Sequence, residues 1–139
     1  MIRKAEENDI NAIMNIWLNA NEEAHDFIPE EYWESQFDDV RIAISSAEVY
    51  VFEDGIIKGF VGLVENYIAG IFVIQEFRST GLGRELLNYL KNIKEELMLN
   101  VYIQNENAVR FYLKQGFQVS LKKIEEETGQ LEYEMTWKR

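Results

Sequence analysis

Residues 78–84 combine two arginines with two glycines, between a strongly apolar stretch and an amphipathic one. At a helix start several backbone N–H groups have no intrahelical acceptor, and the helix dipole adds positive potential, so anions bind there. Gly81 and Gly83 let the backbone approach phosphate oxygens, while Arg78 and Arg84 offer charge-assisted hydrogen bonds. The turn therefore predicts a phosphate site, although a glycine-containing turn with solvated arginines would have the same sequence. It is neither a P-loop nor the longer glycine motif of dinucleotide folds.

A second segment whose residues could take part in chemistry is 105–117. Asn105 is predicted to cap a short helix that Gly116 terminates. Ala108, Phe111 and Tyr112 then share one helix face. Adjacent aromatic residues usually belong to a core, so the pattern alone leaves Tyr112 either structural or chemical.

The composition is that of an ordinary globular protein, 47% hydrophobic and 28% charged, and residues 1–139 are interpreted as one domain. With no cysteine and one histidine, disulfides, thiolate nucleophiles and a bound metal are not expected. A polar beginning and no apolar run of membrane-spanning length predict a cytoplasmic protein without membrane contact. The net charge of −11 disfavours nucleic acid and favours cationic partners, although acidity also serves solubility alone.

The elements that must position these segments follow from hydrophobic periodicity. The first helix begins at Asn8 or Asp9, and the second extends from Pro29 to about Ser45. Asp54-Gly55 is a strong hairpin signal. Strands are predicted over 2–5, 48–53, 56–66, 67–75, 99–103, 117–126 and 131–137. The order β-α-α-β-β-β-α-β-α-β-β predicts a mixed α/β (α+β) fold with a largely antiparallel central sheet, flanking helices and at least one parallel pair.

Together the two segments resemble the signature motifs of the GNAT superfamily of N-acetyltransferases. Its cofactor motif, Gln/Arg-x-x-Gly-x-Gly/Ala, is matched by Arg78, Gly81 and Gly83. Residues 71–74 resemble the family's fourth strand, and the element order agrees, so the resemblance covers essentially the whole chain. Its later motif, Asn-x-x-Ala-x-x-Phe-Tyr-x-x-x-Gly-Phe, is matched by Asn105, Ala108, Phe111, Tyr112, Gly116 and Phe117.

Departures from the family pattern are small. Gln75 stands where the family often has proline, and Ser79 stands where glycine is common. The front of the chain, with Ile16-Trp17-Leu18, His25-Asp26-Phe27-Ile28 and Tyr32-Trp33, is similar to the small bacterial acetyltransferases of the YiaC and YjaB type. Because that group includes protein lysine acetyltransferases, a protein lysine is the first candidate acceptor.

The resemblance implies acetyl-CoA as co-substrate. The backbone of residues 71–73 would bond the pantetheine arm and polarise the thioester, and the turn backbone would hold the pyrophosphate. Asn105 and Asn107 would bond the pantetheine from the second motif. The implied cofactor-binding residues are Ile71, Phe72, Val73, Arg78, Ser79, Thr80, Gly81, Leu82, Gly83, Arg84, Asn105, Asn107, Ala108, Phe111 and Tyr112.

The resemblance also implies direct attack of a primary amine in a ternary complex, with Tyr112 as general acid for the leaving thiolate. Glu65, at the end of the preceding strand, and His25, whose ordinary pKa suits the task, are candidate bases; a solvated or structural role is the alternative for each. The candidate substrate-binding residues are Trp17, Phe27, Tyr32 and Trp33, with core packing as the alternative for at least half of them.

Two other functions stay open alongside a protein lysine acetyltransferase. One is acetylation of a small amine or polyamine, and the other is a non-catalytic acetyl-CoA-binding sensor. The protein could act as a monomer or a homodimer.

Overall fold

The computed structural model describes all 139 residues and contains seven strands and four α-helices. The helices are α1 (Ile10–Ala24), α2 (Glu30–Ser46), α3 (Leu82–Ile93) and α4 (Glu106–Lys114). The strands are β1 (Ile2–Lys4), β2 (Glu48–Asp54), β3 (Ile56–Val64), β4 (Tyr67–Val73), β5 (Glu96–Tyr102), β6 (Gln118–Ile124) and β7 (Leu131–Lys138). The predicted element order is confirmed.

All strands belong to one sheet with the order β1-β2-β3-β4-β5-β7-β6. Every neighbouring pair is antiparallel except β4 and β5, which are parallel. These two strands are joined through α3, because parallel neighbours need a long crossover. The largely antiparallel sheet with one parallel pair is therefore confirmed.

The helices cover the sheet on both faces and form two apolar cores. On one face, α1 and α2 pack over β2 and β3, where Val51 and Phe60 are buried. On the other face, α3 buries Leu86, Leu87 and Leu90 at helical spacing against β3–β5. The α1–α2 pair does not extend as a layer over β7 and β6, and this leaves part of one sheet face polar and accessible.

The helix start predicted near Asp9 is confirmed by position, since Asp9 is the N-cap residue of α1, but the capping bond and the end of β4 differ from the prediction. Asp9 gives α1 no side-chain cap; its carboxylate accepts hydrogen bonds from the Arg3 guanidinium at 2.8 and 3.0 Å and from the Glu6 N–H at 2.7 Å. The half-buried cation binds this carboxylate more strongly than helix amides would. Asn8 lies inside a short 3-10 turn before α1. β4 ends at Val73 because a second 3-10 turn follows it. No helix has the length and apolar character needed to cross a membrane.

Candidate active site

The turn at 78–84 has backbone N–H groups that could receive an anion. Ser79 and Gly81 have φ angles of +65° and +89°, while Thr80 between them does not have a positive φ. The N–H groups of residues 79–84 have no backbone acceptor in the protein. A left-handed residue directly before a helix, as Gly81 is before α3, can direct successive N–H groups into one concavity that attracts anions. The start of α3 adds its dipole to the same place.

The side chains of the turn hold it in position. Arg78 Nε donates to the Val73 carbonyl at 3.1 Å, and its terminal nitrogen pairs with Glu23 of α1 at 3.2 Å. The Thr80 hydroxyl donates to the Phe77 carbonyl. Arg84 is exposed. The structure thus uses Arg78 as a brace, and it leaves backbone amides and Arg84 as the groups that can face a phosphate.

The first turn of α3 also packs closely on its surroundings. Leu82 is buried, and Gly83 lies under the Phe111 ring, where an added Cβ would be 3.5 Å from the ring. The two sequence motifs are therefore in direct contact, as their shared function in the resemblance implies.

A gap opens between β4 and β5 beside this turn. The two strands pair only over residues 67–68 and 98–99 and then separate. In the pairing of β4 with β3, Ile68 and Gly70 lie opposite two successive residues, Leu63 and Gly62. Ala69 is therefore an extra residue in β4. Such a bulge bends its strand and interrupts the ladder. The C-terminal parts of β4 and β5 consequently form a wedge-shaped opening.

Backbone groups of β4 line this gap. The Ile74 N–H donates to the Lys58 carbonyl of β3 at 2.9 Å. Hydrogen bonding alternates along an antiparallel pair, so the amides of Ile71 and Val73 face away from β3 and toward the gap. Phe72, which pairs with β3, directs its amide the other way. Ile71 and Val73 can therefore bond an extended ligand.

Tyr112 approaches the same region from α4. The Asn105 Oδ1 caps α4 by accepting from the Ala108 N–H at 3.4 Å, which confirms the predicted cap. Tyr112 is 8% exposed, in the core between α4 and β5. Burial, and then the nearby Tyr67 hydroxyl, raise the pKa of Tyr112. The phenol therefore stays protonated at neutral pH and can act as a donor.

His25 connects the α1–α2 loop to the same cap. Its Nε2 lies 3.1 Å from Asn105 Nδ2, and its ring stacks on Trp33 with centroids 5.3 Å apart. Because the Asn105 carbonyl oxygen faces the Ala108 N–H, its Nδ2 donates and His25 Nε2 accepts. The proton of the neutral ring is then on Nδ1, a buried atom without a partner. Burial lowers the pKa of His25 to about 4.

A turn with free backbone N–H groups, a gap between two strands and a buried tyrosine are the parts expected of an acyl-CoA site. Residues 4–139 match the family described as "Acetyltransferase (GNAT) domain". This chain belongs to the GNAT acetyltransferase family. As a member it is an acetyl-CoA-dependent N-acetyltransferase, as its two motifs imply.

Relatives of this GNAT enzyme include two Escherichia coli (strain K12) proteins. The chain is 34% identical to the peptidyl-lysine N-acetyltransferase YiaC over 99% of this chain and 96% of that one. It is 32% identical to the peptidyl-lysine N-acetyltransferase YjaB over 86% of this chain and 82% of the relative. The solution structure of the apo form of YjaB superposes with a TM-score of 0.86 at 27% identity, covering 99% and 96% of the two chains. The similarity to the YiaC and YjaB group is confirmed.

The remaining predicted site residues of the GNAT enzyme lie in different environments. Glu65 is exposed in the β3–β4 turn with a φ of +56°. Asn107 is exposed and accepts from Arg110. Of the four aromatic residues in the first two helices, two are half-buried and two, at 7% exposure each, belong to the core beneath α1 and α2. The half-buried pair is Phe27 and Tyr32, and the core pair is Trp17 and Trp33.

Three residues near the gap belong to no sequence motif: Tyr67 in β4, Asn100 in β5 and, one strand further from the gap, Glu132 in β7. The Asn100 Nδ2 faces the Tyr67 hydroxyl at 3.4 Å, and Glu132 lies opposite Tyr102. The alternation of apolar and polar residues in β5 was a signal that one face is not apolar. Placing Glu132 there also required the pairing of β5 with β7, which no local pattern reveals.

A groove of about 630 Å³ also lies on the GNAT enzyme. It runs between α1 and the end of β4, and it contains Glu23 and Val73. No lining residue comes from β5 or α4, but Val73 at the end of β4 borders both this groove and the gap between β4 and β5.

Proposed function

We propose that this enzyme transfers the acetyl group of acetyl-CoA to the side-chain amine of a protein lysine, by direct attack while both substrates are bound. The observation that carries the proposal is the gap between β4 and β5, which has Tyr112 on one side and a polar sheet face on the other. An acyl donor and an amine can meet there from opposite sides. The names of YiaC and YjaB support a lysine acceptor.

The residues fit acetyl-CoA. Unpaired backbone N–H groups at 79–84 suit the pyrophosphate, and Arg84 can add charge. Ile71 and Val73 offer backbone groups to the pantetheine amides, and one N–H on this edge can polarise the thioester carbonyl. Such a donor is typically worth about 3 kcal/mol in the transition state. Asn105 acts mainly through α4, because both ends of its carboxamide already have partners in the protein.

Tyr112 is the proposed general acid. A phenol whose pKa is raised keeps its proton at neutral pH, and the departing thiolate is basic enough to take it. The buried setting strengthens this transfer because water does not compete for the proton.

The acceptor side is acidic and aromatic, which suits a lysine. Tyr32 donates to Glu127 at 2.7 Å, and Tyr102 donates to Glu125 at 2.7 Å, so the β6–β7 loop is held against α2 and β5. Phe27 packs edge-on against Tyr102. Aromatic faces can contact the lysine stem while carboxylates attract the ammonium.

The two predicted bases can be compared at this point. His25 is neutral at pH 7, but its accepting nitrogen is already bonded to Asn105. Glu65 is an exposed carboxylate in a turn, where water would have to relay the proton. Both remain candidates, and Glu65→Gln and His25→Gln belong in the activity assay below.

The cofactor half of the proposal is tested by thermal shift with acetyl-CoA. Gly81→Asp places a side chain and a negative charge in the turn and should abolish the shift. Gly55→Asp is a matched control, because both glycines have positive φ and open space around them, and only Gly81 lies in the turn. Equal acetyl-CoA shifts in the two variants would reject the turn as the pyrophosphate site.

The catalytic half is tested by incubating the enzyme and acetyl-CoA with lysine peptides and, separately, polyamines. Thiol release and mass spectrometry report transfer. Acetylation of lysine peptides is the expected result. Transfer to polyamines alone would show that the acceptor is a polyamine and not a protein lysine. Binding of acetyl-CoA without any transfer would indicate a non-catalytic sensor.

A further inference from the structure

One face of the strands β5 and β7 stays polar where the helices end. Residues directly opposite in paired strands point to the same face, so Asn100 and Tyr102 share it with Glu134 and Glu132. Tyr67 joins them from β4, with its hydroxyl 3.4 Å from Asn100 Nδ2. This face lies opposite the core that contains Tyr112, and the gap connects the two sides.

Two acceptors on this face are weakly satisfied, one with a single long ion pair and one with no partner. Glu132 is only 7% exposed, its carboxylate makes no hydrogen bond, and its nearest cation is Lys123 Nζ at 3.9 Å. The Asn100 Oδ1 atom is buried and has no donor. Buried acceptors are normally satisfied, and leaving one unpaired costs about 1–3 kcal/mol. A buried acceptor without a donor, close to a carboxylate whose only ion pair is long, is an arrangement that a cationic donor can complete.

We infer that Glu132 and Asn100 bind the acceptor ammonium at the mouth of the gap, and that the Glu132 carboxylate takes its proton. This inference rests on the proposed amine acetylation and adds the residues that prepare the amine. A lysine ammonium has three N–H donors, enough for Glu132, Asn100 Oδ1 and the Tyr67 hydroxyl. The site favours a primary amine, because each further substituent removes one donor.

The proton balance is complete with the residues at the gap. The ammonium gives one proton to Glu132, which passes it to water on the open face. The neutral nitrogen then forms a bond to the acetyl carbon while the carbon–sulfur bond breaks. Tyr112 gives its proton to the sulfur, and the second nitrogen proton restores the Tyr112 phenol. The products are an N-acetyl amide, a free thiol and one released proton.

The surroundings of Glu132 suit a proton acceptor. Burial, and then the charge of Glu125, raise the pKa of Glu132, while Lys123 of β6 lowers it. The phenols of Tyr102 in β5 and Tyr67 in β4 are the other ionisable groups that face it. A carboxylate with a raised pKa is a better base near neutral pH than an exposed one. Glu132 is also buried, whereas Glu65 is exposed.

The test compares Glu132→Gln with Glu134→Gln and Glu65→Gln, using whichever amine the wild type acetylates best. Glu134 is a matched control, since it lies two residues along the same strand and face and bonds to Ser120. At pH 7, Glu132→Gln should lose about 10²- to 10⁴-fold in kcat/KM, whereas Glu134→Gln should stay within about threefold. At pH 10 the loss should shrink strongly, because much of the amine is then already neutral.

A second readout excludes simple unfolding and tests binding directly. Glu132→Gln should keep its melting temperature and acetyl-CoA shift, but the complex with CoA should bind a lysine peptide less tightly. A folded Glu132→Gln enzyme with the activity and pH profile of Glu134→Gln would overturn the inference and leave the proposed function standing. If the wild type acetylates only another amine, the proposed acceptor is wrong, and the Glu132→Gln comparison is made with that amine. Wild type inactive on every amine would overturn both.

Discussion

The neutral His25 makes stability depend on pH in a predictable direction. Burial lowers the folded-state pKa to about 4 from an ordinary 6.5, and protonation would also oppose the Asn105 Nδ2 donor with a second donor. Below pH 6.5 His25 binds a proton in the unfolded chain, whereas in the folded chain it stays neutral down to about pH 4. Stability from this group is therefore complete above pH 6.5 and declines as the pH falls toward 4.

The magnitude follows from the pKa difference. Each pKa unit corresponds to about 1.36 kcal/mol, so the full effect is about 3 kcal/mol and about 2 kcal/mol is lost between pH 7.5 and 5. The many carboxylates also titrate in this range, so wild type must be compared with His25→Gln. Glutamine does not titrate and still offers Asn105 an acceptor.

The assay is urea unfolding followed by tryptophan fluorescence at both pH values. The free energy of unfolding of wild type should fall by about 2 kcal/mol more than that of His25→Gln. A difference between the two proteins that is independent of pH would refute the buried, neutral histidine. An NMR titration that puts the His25 pKa at 6 or above would do the same.

Two further predictions concern backbone geometry. Ser79→Gly should raise the free energy of unfolding by up to about 1 kcal/mol and Tm by about 2–4 °C, because Ser79 has φ +65° and glycine adopts this region without a Cβ clash; an unchanged or lower Tm would contradict this. Gly70→Ala should cost roughly 1–3 kcal/mol, because its Cβ would lie 2.3 Å from the Phe72 ring, whereas Gly62→Ala, at its partner in β3, should cost much less. Chemical denaturation of both variants checks the second prediction, and equal losses would count against it.

Much of the fold was predictable because its signals are local. The hairpin at Asp54-Gly55, the Asn105 cap and the leucines of α3 each depend on residues within a few positions. Asp9 occupies the predicted N-cap position, but its expected capping bond is absent because Arg3 folds back onto its carboxylate, which the sequence does not show. The ion pair with Arg3, which forms only in the folded protein, takes the place of the helix-capping bond that aspartate prefers locally.

The site was predictable where a motif marks it and unpredictable where strand pairing creates it. Gly81 and Tyr112 follow from the family resemblance. The gap depends on a bulge at Ala69, and the His25–Asn105 contact joins residues 80 apart in the chain. Glu132 becomes visible only once β7 lies beside β5. Long-range register of this kind leaves no periodic trace in the sequence.

The most direct test of acetyl transfer at this gap is a comparison of wild type with Tyr112→Phe, following thiol release from acetyl-CoA with a lysine peptide. The substitution removes only the hydroxyl, so acetyl-CoA should still raise the melting temperature. The transfer rate should fall by about 10²- to 10⁴-fold. A Tyr112→Phe enzyme that binds acetyl-CoA and transfers acetyl groups as fast as wild type would contradict the assigned acid and the location of the chemistry.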